Sequence, residues 1–88
     1  MEENKIKKVY VVIEDDVYDF ESKITCEVFA EYNDALNYVN DRLKVIKEDI
    51  DEDMIIDEGI GYYSAYEDGR YAENHYCIYI SEKVVQWK

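Results

Sequence analysis

The sequence contains no proline and only three glycines among its 88 residues. Without proline or low-complexity stretches, no segment is typical of a linker, so we expect one domain spanning residues 1–88. No run approaches the about 18 apolar residues that a transmembrane helix needs, and the chain opens on acidic residues instead of the basic and apolar regions of a secretion signal. These absences predict a cytoplasmic protein that does not bind a membrane.

Cysteine is also scarce, because only Cys26 and Cys77 are present. Both lie in apolar, strand-like runs, and nothing in the sequence indicates an oxidising compartment. We therefore expect two reduced, buried thiols and no disulfide bond.

Basic residues are strongly outnumbered, since 10 Lys and Arg face 22 Asp and Glu and leave a net charge of −12. Two short segments without any base carry the whole excess. The first holds Glu14, Asp15, Asp16, Asp19 and Glu21, and the second holds Glu48, Asp49, Asp51, Glu52, Asp53, Asp57 and Glu58. A field of this kind attracts cationic surfaces and repels nucleic acid. The charge pattern therefore predicts a basic protein surface as the partner and no direct contact with nucleic acid.

The hydrophobic pattern changes period along the chain, which predicts the order of strands and helix. Strands are predicted at 7–13, 24–29, 60–66 and 71–81, with 84–87 as a candidate fifth strand, and an amphipathic helix is predicted at 31–49. Asn33, or a residue one or two positions earlier, is the expected N-cap. The first two strands are expected to pair as an antiparallel hairpin across the first acidic segment. The predicted fold class is α+β, with an antiparallel sheet of four or five strands, one helix on one face, and the order β-β-α-β-β.

A second hairpin is predicted at the Asp-Gly pair of residues 68–69, because this dipeptide between two β-like runs is the strongest short-range hairpin signal. Placing the pair at the centre of the turn puts Tyr66 opposite Tyr71 and Tyr62 opposite His75. Cross-strand aromatic pairs favour this register.

The second acidic segment resembles the start of a calcium-binding loop, because carboxylates alternate from Asp49 to Asp53. Such a loop needs glycine at its sixth position and glutamate at its twelfth, where this chain has Met54 and Ile60. We therefore do not expect an EF-hand, and weak, nonspecific binding of divalent cations is left as an alternative to a solvated acidic loop.

No catalytic or cofactor-binding motif is complete. Gly59 and Gly61 match the first two glycines of a dinucleotide fingerprint, but Ser64 replaces the third. We expect these glycines to let a strand bend or approach other backbone closely. His75 is the only histidine and shares a predicted strand face with Cys77, without a Cys-x-x-Cys turn for zinc or the third group of a catalytic triad. We expect no catalytic residue, no metal, no cofactor and no enzymatic activity.

Ten tyrosines are too many to be buried in so small a core. Exposed tyrosine supplies a large contact area at low entropic cost and is enriched in protein interfaces. Tyr63, Tyr66 and Tyr71 are the candidate anchors for a partner, and ordinary cross-strand pairs on a partly solvated face are the alternative. Stacking on nucleic-acid bases normally requires a basic groove, which argues against that use here.

In its size, its acidity and its combination of aromatic and carboxylate residues, the chain resembles phage-encoded inhibitors that mimic DNA, among them many anti-CRISPR and anti-restriction proteins. The resemblance is one of overall character and assigns no role to any residue. It implies that the acidic segments stand in for phosphates and mask a nucleic-acid-binding surface. Separately, residues 8–13 and 28–39 are similar to small uncharacterised bacterial and phage proteins in which two strands, the second ending in Val-Phe, precede a helix.

Two functions of different classes follow. The first is a non-catalytic domain that binds a basic protein surface as an inhibitor of nucleic-acid access. Its candidate contact residues are Asp15, Asp16, Asp19, Asp49, Asp51, Glu52, Asp53, Tyr63, Tyr66 and Tyr71. The second is a homodimeric structural or regulatory domain that associates through Tyr-rich and Val-rich strand edges, with the acids providing only solubility.

Overall fold

β-Branched and aromatic residues dominate both ends of the chain, where they form the two longest strands. The computed structural model describes residues 5–18, 21–50, 53–67 and 74–87. The elements in chain order are β1 (Lys5–Tyr18), β2 (Glu21–Phe29), α1 (Tyr32–Ile46), β3 (Ile55–Gly59), β4 (Tyr62–Tyr66) and β5 (His75–Trp87). The α+β class is confirmed, but the order is β-β-α-β-β-β, so the predicted order β-β-α-β-β is wrong.

All five strands form one antiparallel sheet in the order β2-β1-β5-β4-β3. The central strands β1 and β5 pair from Lys5 opposite Trp87 to Val17 opposite His75. Because β5 runs without interruption to Trp87, the predicted strands 71–81 and 84–87 belong to a single element, described from His75 onward. A strand of 14 residues is about 46 Å long, which accounts for most of the 59 Å long axis of the molecule.

The predicted hairpin of the first two strands is confirmed, but the predicted acidic loop between them is wrong. β1 continues through Glu14, Asp15 and Asp16 to Tyr18, and β2 begins at Glu21. A strand directs successive side chains to opposite faces, so the three acids do not crowd one surface. Asp16 is exposed, and the charge of buried Glu14 is compensated by a cation from α1.

The helix α1 begins at Tyr32, after an N-cap at Glu31 that makes no side-chain capping hydrogen bond. Glu31 is two positions before Asn33 and is therefore the earliest of the predicted N-cap positions, so Asn33 lies inside the first turn. Ala35 and Val39 are completely buried against the sheet, as the helical spacing of apolar residues predicts. Within the described part of the chain, no helix has the length and apolar composition needed to cross a membrane.

The strand β3 was not predicted, because its five residues include two adjacent acids and lie in the second acidic segment. It forms a hairpin with β4 in which Gly59 pairs with Tyr62, which leaves Ile60 and Gly61 as the turn. Gly61 has φ +74°, and a Cβ there would lie 3.1 Å from Cδ1 of Ile80. The second glycine therefore permits a tight turn, where the sequence predicted a bent strand.

The predicted register of the next hairpin is wrong by four residues along β5. Tyr66 pairs with His75 and Tyr62 pairs with Tyr79, so Tyr62 does not face His75. The connection is consequently longer than the two-residue turn that the Asp-Gly pair predicted, and residues 68–73 lie outside the described residues. Both registers put the same side chains on the same face, but the observed one places buried Tyr63 opposite buried Ile78, where the predicted one would place it opposite Asn74. This apolar packing outweighs the local turn preference.

The core lies between α1 and one face of the sheet. Its buried residues are Val12, Ala35, Val39, Tyr63, Ala65, Tyr76 and Ile78. The strand residues that alternate with these positions point to the opposite face, on which no described element packs. This second face, called the open face below, presents Lys7, Val9, Val11, Ile13, Asp15, Val17, Ser22, Ile24, Cys26, Val28, Ile55, Asp57, Tyr62, Ser64, Tyr66, His75, Cys77, Tyr79, Ser81, Lys83 and Val85.

Candidate protein-binding site at the acidic end

The strand directions bring the two acidic segments to the same end of the molecule. β1 ends and β2 begins there, and α1 runs alongside β1 so that its last turn arrives at the same place. We call this region the acidic end. Its described carboxylates are Asp15, Asp16, Glu21, Glu48, Asp49 and Asp53. The predicted contact residues Asp19, Asp51 and Glu52 lie outside the described residues.

A cleft of about 310 Å³ opens at the acidic end. Asp16 from the first acidic segment and Asp49 from the second both line it. Its apolar lining includes Ile46, Ile50 and Met54, which follow one another around the end of α1. The cleft therefore combines an apolar wall with carboxylates contributed by both segments.

The carboxylates of the cleft, Asp16 and Asp49, form no ion pair among the described residues, although Lys23 lies opposite Asp16 in the register of β1 and β2. The nearby base Lys47 is engaged elsewhere, since its Nζ lies 3.2 Å from Oε1 of Glu58 and 5.1 Å from the centroid of the Tyr63 ring. The negative field of the cleft is thus available to an external cation.

Glu14 belongs to the first acidic segment by sequence but not to this site. It is 6% exposed and lies on the helix-covered face. Arg42 binds both of its oxygens, with Nε 3.1 Å from Oε1 and Nη2 2.6 Å from Oε2, and the Tyr76 hydroxyl donates to Oε2 at 2.8 Å. These contacts join α1, β1 and β5, so Glu14 has a structural role.

The same contacts determine the ionisation of the three groups. Burial alone raises the pKa of Glu14, but the hydrogen bonds from Arg42 and Tyr76, the positive charge of Arg42 and a hydrogen bond from Thr25 outweigh it and lower the pKa below 4.5. Burial, followed by the hydrogen bond to Glu14, raises the pKa of Tyr76. The hydrogen bond to Glu14 is the main cause that raises the pKa of Arg42. The carboxylate and guanidinium therefore stay charged at neutral pH, while the phenol stays protonated.

This network predicts a specific dependence of stability on pH. Because the pKa of Glu14 is lower in the folded chain than in the unfolded chain, its stabilisation is fully present above pH 4.5 and is lost as pH falls through the folded pKa. We expect the difference in free energy of unfolding between wild type and Glu14→Gln to be largest at about pH 7 and to shrink towards about pH 3. Urea denaturation followed by circular dichroism measures it.

Glu48→Gln is the matched control, because Glu48 is exposed and forms no ion pair among the described residues. Its difference from wild type should stay small across the same pH range. Loss of repulsion within the acidic end on acidification is common to wild type and Glu14→Gln, so it cancels in their comparison. A wild-type advantage over Glu14→Gln that is constant with pH contradicts the lowered pKa of Glu14.

The tyrosine predictions have different outcomes. Tyr63 is only 3% exposed and packs in the core against Tyr76, so its prediction as a surface anchor is wrong. Tyr63 lies on the face that α1 covers, whereas Tyr62 and Tyr66 lie on the open face. Tyr66 is 40% exposed, and Tyr71 lies outside the described residues. Sequence reasoning missed Tyr18, which is 73% exposed and lines the cleft, because β1 was expected to end earlier.

The remaining predicted carboxylates point in different directions. Asp15 faces away from Asp16 across the sheet and accepts a hydrogen bond from Ser22 Oγ at 3.0 Å. Asp53 is exposed in the turn that follows α1. The structure thus brings Asp16 and Asp49 together in the cleft and leaves Asp15 on the open face.

Both cysteines are free, as predicted. Cys26 is exposed, so the prediction that both thiols are buried is wrong for it. Cys77 is half-buried, and burial, followed by the negative charge of Asp15, raises the pKa of its thiol. Among the described residues, no group of three or more His, Cys, Asp and Glu side chains is placed to hold a metal ion.

The geometry defines an α+β domain with an acidic, partly apolar cleft at one end. Comparison with protein-family models, with curated proteins and with solved structures found no match for the chain.

Proposed function

We propose that the chain is a non-catalytic protein-binding domain that docks its acidic end on a basic surface of another protein. The observation that supports this most directly is the shared cleft, because Asp16 and Asp49 come from the two acidic segments and line one cavity. Ion pairing at such a place is stronger than at a flat surface, since apolar walls lower the local dielectric constant.

The shape and lining of the cleft favour an arginine or lysine side chain as the group that enters it. Such a side chain buries an aliphatic stem on apolar surface and keeps a charged head at polar groups. Ile46, Ile50 and Met54 offer the apolar surface, and Asp16 and Asp49 offer the acceptors. A guanidinium is the better fit, because it can bond two carboxylate oxygens in one plane.

The same charge distribution suggests how the domain acts on its partner. A basic surface that accepts these carboxylates is a surface that also attracts phosphates. Occupying it excludes nucleic acid, so the proposed activity is inhibition by masking, in the manner of a DNA mimic. The proposed compartment is the cytosol, where two free thiols are stable in the reduced form.

An arginine-rich peptide with a fluorescent label tests the proposal. We expect Asp16→Asn/Asp49→Asn to weaken binding of this peptide by about tenfold, measured by fluorescence anisotropy at low salt. Wild-type affinity should fall steeply as the salt concentration rises, because the contacts are largely electrostatic. Displacement of duplex DNA from the same peptide by the wild-type domain tests masking.

Asp34→Asn/Asp41→Asn is the matched control, because it removes the same number of charges from exposed positions on α1 outside the cleft. Its effect on affinity should stay within about twofold. Equal losses in the two double variants mean that only net charge matters and contradict the cleft. If the domain binds the peptide but does not displace DNA from it, the proposed masking is wrong and the proposed binding stands.

A further inference from the structure

The middle of the open face is mostly apolar, although no described element covers it. Ile24 and Val28 are 61% and 64% exposed, and Tyr79 is 39% exposed. Between them lie Val11 and Ile13, which are half-buried. A solvated face of an antiparallel sheet is normally polar, and an apolar patch of several hundred Å² marks an interaction surface.

Charge is distributed unevenly along the open face. Lys7 and Lys83 lie near one end of the β1 and β5 strands, and Asp15 lies towards the acidic end. The apolar residues Val11 and Ile13 occupy the middle of the same strand, β1. A face that is basic at one end, apolar in the middle and acidic at the other end is complementary to itself when one copy is reversed.

We propose that the open face binds a second copy of this chain, in a two-fold arrangement in which the two sheets pack face to face with their strands running in opposite directions. With the axis between Ile13 and Val11, each β1 strand lies over the other. Asp15 of one copy then approaches Lys83 of the second copy, and the contact occurs twice because of the symmetry. The apolar centres stack at the ~10 Å separation of packed sheets.

The net charge of −12 opposes association of two copies. The reversed arrangement reduces this repulsion, because it holds the two acidic ends at opposite ends of the dimer. A parallel arrangement would bring Asp15 of both copies together and is disfavoured for the same reason. Asp16 lies on the helix-covered face and Asp49 follows α1, so the reversed dimer leaves these two cleft carboxylates uncovered.

The area available is compatible with a weak dimer. One open-face position covers about 33 Å², from a strand spacing of about 4.8 Å and a two-residue repeat of about 6.8 Å. About fifteen positions overlap in the reversed arrangement, which gives about 500 Å² per copy, or about 1,000 Å² in total. This is the lower limit for a specific interface, so we expect a dissociation constant in the micromolar range.

Sedimentation equilibrium at protein concentrations from about 1 to about 500 μM measures the association. We expect wild type to approach twice its 10.5 kDa mass at the upper concentrations. Val28→Lys should raise the dissociation constant by about tenfold or more, because it places an unpaired charge in the apolar contact. This substitution also lowers the net negative charge, so added repulsion cannot explain a loss of dimer.

Val45→Lys is the matched control, because Val45 is 56% exposed on α1 and carries the same change of charge. It should change the dissociation constant by less than about twofold. Wild type that remains monomeric at the upper concentrations overturns the proposal. So does a dimer that survives Val28→Lys or is weakened equally by Val45→Lys.

Cross-linking locates the contact independently. Cys26 is exposed on the open face. The reversed arrangement places the two Cys26 thiols on facing sheets, offset along the strands by one two-residue repeat of about 6.8 Å. A short bis-maleimide should join two wild-type chains and should fail with Cys26→Ser. Cys77 reacts more slowly, because it is half-buried and its thiol has a raised pKa. Absence of a Cys26 cross-link at concentrations where the dimer forms contradicts the open-face contact.

Discussion

Replacing Arg42 by alanine is expected to lower the free energy of unfolding by about 2 to 3 kcal/mol. The substitution leaves the carboxylate of Glu14, whose side chain is only 8% exposed, without its cation. An uncompensated buried charge is strongly destabilising, and we reduce the usual magnitude because the Arg42 side chain is 36% exposed. Urea denaturation at neutral pH, followed by circular dichroism, measures the loss.

Two controls distinguish the loss of the buried pair from a loss of helix stability. Lys44→Ala changes a neighbouring residue of α1 whose ion pair with Asp41 is largely exposed on both sides. It should cost less than about 0.5 kcal/mol. Glu14→Gln/Arg42→Met removes both charges and should recover part of the stability lost in Arg42→Ala. A loss in Lys44→Ala as large as that in Arg42→Ala contradicts the role assigned to the pair.

The ion pair also shows why one part of the fold escaped sequence analysis. Glu14 and Arg42 are 28 residues apart, and neither position indicates its partner locally. An isolated run of acids is typical of a loop, so β1 was expected to end before Glu14. It continues because a distant helix supplies the compensating cation and Tyr76 supplies a further hydrogen bond.

Local periodicity correctly predicted the elements in which apolar residues form a run or recur at helical spacing. The apolar run in the middle of β1 and the helical spacing of Ala35 and Val39 identified a central strand and the helix. Local periodicity failed for β3, whose five residues form a strand by pairing with β4. It also failed for the register of Tyr66 with His75, because the local turn signal does not show that buried Tyr63 packs opposite Ile78.

The candidate site was partly accessible from sequence. The two charge clusters are visible in the sequence, but their convergence depends on strand directions. The sequence did not show that the clusters share one end, because this depends on the direction in which α1 runs beside β1. The sequence also did not separate Asp15 from Asp16, because that depends on which face α1 covers.

The two faces of the sheet should respond differently to the same substitution of isoleucine by alanine. Ile78 is completely buried between Glu14 of β1 and Tyr63 of β4, whereas Ile24 is 61% exposed on the open face. Ile78→Ala should lower the free energy of unfolding by about 3 to 4 kcal/mol, because it loses transfer free energy and leaves a cavity. A domain of this size has only about 5 to 10 kcal/mol in total.

Ile24→Ala removes the same atoms and should cost less than about 1 kcal/mol when measured at protein concentrations where the chain is monomeric. Thermal and urea denaturation of both variants measure the contrast. The difference follows from the placement of α1, since the helix buries only the face that carries Ile78. Equal losses in the two variants mean that the open face is covered within a single chain, which contradicts both the one-sided core and the surface proposed for a second copy.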